Sequence, residues 1–150
     1  MNKKFILTSN SITVNWVTLF QIRSLKDFRG VKEWDLWWYV EKEENLSILW
    51  DCWVYWEASV SDNARVSDNA WVYWDARVFD DARVSDDARV FDDARVYWDA
   101  RVFGSASVSD NARVYWSACV YWEASVFGSA SVSDDAWVGG YTIVCWTPEG

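Results

Sequence analysis

Arginine and aromatic side chains recur at a fixed spacing in this chain, and that pattern is the first candidate for chemistry. Arg77 with Phe79, Arg95 with Tyr97 and Arg113 with Tyr115 stand eighteen residues apart, flanked by Ser59, Ser61, Ser131 and Ser133. A second series at the same spacing joins Trp53 with Tyr55, Trp71 with Tyr73 and Arg89 with Phe91. A third carries Arg65, Arg83 and Arg101, then Phe103 and Tyr121. Guanidinium groups beside aromatic rings make surfaces that hold carbohydrate, a carboxylate-bearing ligand or a neighbouring subunit. The plainer alternative is that they cover the outer wall of a sheet, each stacked pair adding about 0.5–1 kcal/mol. The candidate binding residues are Arg77, Phe79, Arg95, Tyr97, Arg113, Tyr115, Trp53, Tyr55, Trp71 and Tyr73. No residue is assigned a catalytic role.

The acidic residues cluster in pairs: Asp80-Asp81, Asp86-Asp87, Asp92-Asp93 and Asp134-Asp135. Stacked at one-coil spacing, like charges of this kind repel by about 1 kcal/mol per pair in a water-like dielectric. Calcium would relieve that, but the glycine-rich nonapeptide calcium motif is absent, and arginines two or three residues away are plainer counterions. Cys52, Cys119 and Cys145 are odd in number, lack metal-ligand spacing and read as buried or incidental thiols. No metal site and no cofactor is therefore expected. The chain has no histidine, which removes Ser-His-Asp and Cys-His nucleophiles, His-ligated zinc and the commonest general base. It also has no G-x-x-x-x-G-K-[ST] phosphate loop.

Charge and length narrow the class further. With 14 Lys+Arg against 23 Asp+Glu, the net charge of -9 argues against a nucleic-acid partner. The N-terminus, Met1-Asn2-Lys3-Lys4-Phe5-Ile6-Leu7-Thr8, starts like a signal peptide, but its apolar run stops after three residues. No stretch approaches the roughly 20 apolar residues of a membrane span, so a cytoplasmic protein with no membrane partner is expected. At 150 residues the chain is long enough for one domain with a real core.

What must position these residues is a repeat. From Val54 to Trp137 the chain reads as fourteen hexapeptides, with valine always first and alanine always fifth. A period of six fits a short strand plus a corner rather than a helix. Alternation across each unit boundary turns alanine and valine inward together, while the third and fourth residues are turn formers. Three sides close a triangular coil of eighteen residues, and about five coils at roughly 4.8 Å each make the prism. No unit folds alone, so stability is a nearest-neighbour sum.

Tryptophan departs from this text. The third position of the unit is Asp seven times, Gly at Gly104 and Gly128, and Trp at Trp56, Trp74, Trp98, Trp116 and Trp122. Aspartate and glycine tolerate left-handed backbone; tryptophan does not. Val14-Asn15-Trp16-Val17 likewise places tryptophan where Asn-Gly would be a strong hairpin signal. Writing glycine for tryptophan gives VNGVTLF, KEGDLGGYVEKEENLS and VYGEAS. That text closely resembles bacterial hexapeptide-repeat proteins of the YdcK-like group of candidate transferases, with their IRALKDF-type opening, GDLGGYIE-type cap and V-x-G-N-A-R units. We read eleven tryptophans (Trp16, Trp34, Trp37, Trp38, Trp50, Trp56, Trp74, Trp98, Trp116, Trp122 and Trp146) as glycines in the organism, written as tryptophan through a UGA codon. Trp53, Trp71 and Trp137, each in the outward sixth position, are read as authentic surface residues. The alternative is a true tryptophan corner that stacks on neighbouring coils.

The resemblance implies an all-β fold, a single-stranded left-handed parallel β-helix with an irregular N-terminal β-hairpin cap; the handedness comes from the family alone. Residues 1–47 are read as hairpin and cap, 48–137 as the β-helix and 138–150, with Pro148 and Gly150, as a C-terminal tail. Many hexapeptide-repeat relatives are trimeric acyltransferases that use a histidine base and a projecting loop, and this chain has neither. The expected role is a non-catalytic scaffold or binding protein presenting Arg-aromatic faces; an acyltransferase-like enzyme is the alternative. Expected partners are copies of itself, as a trimer or stacked end to end, or another protein or a glycan.

Overall fold

The computed structural model describes residues 3–147; the expectations placed on Met1, Asn2, Pro148 and Gly150 concern residues outside that range. The hexapeptides form a parallel β-solenoid of about six turns, whose walls are three sheets built from every third strand. Most strands are the sixth residue of one unit and the valine of the next, as at Arg77–Val78, Arg95–Val96 and Arg113–Val114. The register is one coil: Arg95 pairs with Arg77 and Arg113, and Val96 with Val78 and Val114. Backbone amides donate up the stack, from Arg77 N–H to the Ala94 carbonyl at 2.9 Å and from Phe79 N–H to that of Val96 at 3.1 Å.

Inside the prism, the repeat valines from Val54 to Val132 and the alanines from Ala58 to Ala130 are all buried. Burying a valine side chain contributes about 1.5–3 kcal/mol before entropy is subtracted, so the column of valines is the dominant stabilising term. Ala136, on the last rung of its face among the described residues, is exposed.

The corners follow from the third residue. Across most of them the alanine amide donates to the carbonyl of the second residue, as from Ala64 to Ser61 at 3.1 Å, closing a β-turn. Its first central residue has positive φ throughout: Asp62 at 55°, Asp86 at 59°, Trp98 at 55° and Gly104 at 67°. That is the glycine-favouring position of such a turn, with Asp the next most tolerant type. Of the eleven tryptophans read as glycine positions, eight (Trp16, Trp34, Trp50, Trp56, Trp74, Trp98, Trp116 and Trp122) adopt this left-handed backbone.

Among the described residues the stacked aspartates form no ion pair with arginine. Those in the third position accept the amide of the third residue one coil on: Asp86 from Gly104 at 2.9 Å, Asp110 from Gly128 at 2.9 Å, Asp80 from Trp98 at 3.2 Å. An amide donor aimed at these third-position carboxylates offsets the like-charge repulsion along their own column.

The N-terminal cap is a mixed sheet. β1 (Phe5–Val14) and β2 (Val17–Ser24) form an antiparallel hairpin whose loop, Asn15-Trp16, has φ of 50° and 71°. Both values are positive, the pattern of a type I′ turn. β3 (Leu36–Val40) pairs antiparallel with β2 and parallel with Ser59–Val60, so the cap continues one wall of the solenoid. A single 3₁₀ turn at Glu43–Asn45 follows, and the buried Asn45 amide donates to the carbonyls of Asp62 and Ala64 at 3.1 and 2.9 Å. It thereby stands in for a missing rung. At the other end, Ile143–Trp146 pairs with Ser125–Gly128, which adds a sixth rung to one face where the sequence suggested about five coils.

Candidate functional site

The eighteen-residue columns exist as predicted, but their rings spend their faces on one another. Phe79 and Tyr97 stack at 4.9 Å and 1°, and Tyr97 and Tyr115 at 5.2 Å and 7°. Such parallel offset pairs contribute about 0.5–1.5 kcal/mol each beyond burial. Arg77, Arg95 and Arg113 stand exposed beside them on the same wall. This column is a rigid ladder with guanidiniums along its side.

Trp53 is not a surface residue. It is 0% exposed, held by Phe5 and Phe28 in edge contacts at 6.0 and 4.9 Å, and the Lys4 ammonium sits 5.5 Å from its ring. The cap therefore covers the first rung of this wall, which the repeat alone could not reveal. Lys4 is itself buried and donates to the Cys52 carbonyl at 2.7 Å and contacts Cys52 Sγ at 3.4 Å. Burial lowers the Lys4 pKa and raises that of the Cys52 thiol. Cys119 is also buried, which raises its thiol pKa, whereas Cys145 is exposed. Trp137 is 68% exposed, as expected, and Trp71 is half-buried.

Four further members of that wall line a cleft of about 670 Å³ between the cap and the first coils. Tyr55, Trp71, Tyr73 and Arg89 come from the wall, Trp56, Asn69 and Asp87 from its corners, and Arg29, Gly30 and Trp37 from the cap. Trp37 and Trp71 each meet Tyr55 at 4.8 Å. The Arg29 guanidinium lies 5.6 Å from the Trp71 ring. Burial pushes the Tyr55 hydroxyl pKa up to about 12, against the pull of nearby Arg29, and raises that of Tyr73 against Arg89. Both are therefore donors at neutral pH.

Of the ten sequence candidates, the structure brings Tyr55, Trp71 and Tyr73 together in the cleft. It sets Arg77, Phe79, Arg95, Tyr97, Arg113 and Tyr115 on another wall and buries Trp53. Arg29, Gly30 and Trp37 were missed because they lie outside the repeat, and Asn69 and Asp87 because corner residues read only as turn formers. Among the described residues no cluster of side chains could hold a metal ion, and no helix is long and apolar enough to cross a membrane.

This architecture is that of a parallel β-solenoid built from hexapeptide repeats, with a capped end and a ligand-sized cleft beneath the cap. The family profile described as the YdcK beta solenoid repeat matches residues 58–73 and 82–97, so these stretches of the solenoid are similar to that repeat. No curated protein matches the chain.

Proposed function

We propose that the protein is a non-catalytic binding scaffold whose ligand site is the cleft beneath the cap. The observation that carries this reading is that cap and solenoid together enclose about 670 Å³ lined by aromatic rings and two arginines. Concave, largely apolar sites of a few hundred Å³ with a few polar groups are where small molecules bind. The stacked columns supply stiffness, and their Arg-rich flanks offer a contact surface to a protein, a glycan or further copies. Histidine, the base usual in hexapeptide acyltransferases, is absent from the chain, which supports the non-catalytic reading.

The test is a titration of the full chain with small aromatic fragments, followed by amide NMR shifts. Shifts concentrated at Gly30, Asn69, Asp87 and Arg89 are expected. Shifts confined to the wall carrying Arg77, Arg95 and Arg113, or turnover of acyl-CoA, would overturn the reading.

A further inference from the structure

The polar chemistry of the cleft is one-sided. Arg29 and Arg89 both line it, yet the ion pairs among the described residues are Lys3–Glu43 and Lys32–Asp27, neither of which involves them. The carboxylate on the lining, Asp87, accepts the Asn69 side-chain amide at 3.3 Å. The Tyr55 and Tyr73 hydroxyls add further donors, and the Trp71 indole N–H is buried with no acceptor. A buried unmet donor costs about 1–3 kcal/mol, and on the lining two arginines face a single carboxylate, Asp87.

Arg29 is also held where arginine is costly. Phe28 and Val31 exchange backbone hydrogen bonds of 2.9 and 2.7 Å, and the two residues between them, Arg29 and Gly30, have φ of 37° and 85°. Both central residues at positive φ make a turn that Asn-Gly would satisfy at lower energy. This turn holds the Arg29 guanidinium over the Trp71 ring, with one N–H 3.5 Å from the Asn69 carbonyl, at the edge of the cleft.

We infer that the cleft binds a small planar organic carboxylate, its ring against Tyr55, Trp71 and Tyr73 and its anionic oxygens on Arg29 and Arg89. This rests on the reading of the cleft as the ligand site. Guanidinium matches carboxylate in geometry and charge, and the aromatic walls match a flat ring. A net charge of -9 opposes a large polyanion at long range but leaves a single carboxylate to the local arginines. The ring and anion contacts named here come from Tyr55, Trp71, Tyr73, Arg29 and Arg89, while Trp37 and Trp56 complete the lining.

Calorimetry with 2-naphthoate and the neutral isostere 2-naphthalenemethanol separates the two ideas. The full chain should bind the carboxylate at least about tenfold more tightly than the alcohol. Arg89→Met should weaken the carboxylate about tenfold and leave the alcohol within about twofold, while Arg113→Met on another wall changes neither. Arg29→Lys and Arg89→Lys, which keep the charge and spare the fold, should retain part of the preference. Equal affinity for both compounds, or methionine variants that bind naphthoate as well as the unmodified chain, overturns the carboxylate assignment and leaves the cleft reading standing. Failure of both compounds to bind overturns the two together.

Discussion

Replacing Trp16 with glycine should stabilise the protein, and the size of the gain follows from the hairpin. Trp16 is the second residue of the β1–β2 loop, at φ 71°, and its side chain is 99% exposed. Left-handed backbone costs a residue with a Cβ about 1–2 kcal/mol. Glycine removes that strain but loses about 0.4–1 kcal/mol more backbone entropy on folding. Because the indole touches almost nothing, no packing is forfeited, and the net gain for Trp16→Gly is about 0.5–1 kcal/mol. Trp16→Ala is the control, since it removes the ring and keeps the Cβ. Urea midpoints give the global effect, and amide exchange at Thr13, Val14, Val17 and Thr18, which pair across the turn, gives the local one. If Trp16→Gly is no more stable than the unmodified chain, or Trp16→Ala matches it, the strain argument is wrong. Trp98 is the instructive contrast: it shares the positive φ of 55°, but its ring stacks on Trp116 at 5.5 Å and 9°. Trp98→Gly should be close to neutral, because relief of strain and loss of stacking are of similar size, about 1 kcal/mol.

Three further outcomes are expected. Asp86→Ala removes the carboxylate that accepts the Gly104 amide and should cost about 1–3 kcal/mol in chemical denaturation, more than Asp87→Ala at the neighbouring position. Tyr55 holds its proton more tightly folded than unfolded, so its share of stability is complete below about pH 10 and lost as the pH rises toward 12. Unfolding midpoints measured across that range should fall less steeply in Tyr55→Phe. Codon sequencing tests the tryptophan reading directly: UGA is expected at the eleven positions and UGG at Trp53, Trp71 and Trp137, and UGG throughout would refute it.

The core is legible from sequence because the hexapeptide is its own alignment. Val96 and Ala94 face inward for the same reason in every coil, and the register of one coil per eighteen residues brings Arg77, Arg95 and Arg113 into line as expected. The corner conformation is legible too, from the alternation of Asp and Gly at one position. The cleft is not, because it depends on where a non-repetitive cap lands. Trp53 and Trp71 have the same place in their units, yet one is fully buried, and the difference lies in Phe5 and Phe28, far away in the chain. The partner of the stacked carboxylates was hidden for another reason: a backbone amide leaves no mark in the text of the repeat.

The Asp-to-amide contact, which always reaches one coil ahead, sets rules for how such a gene can change length. An insertion or deletion of eighteen residues would return every side chain to its own wall and the third-position carboxylates to waiting amides. A slip of a single hexapeptide would keep the valine core but turn all later residues by a third of a revolution, moving Arg113 out of line with Arg95. Recombination within the repeat should therefore be silent in steps of three units and should rewrite the surface in any other step.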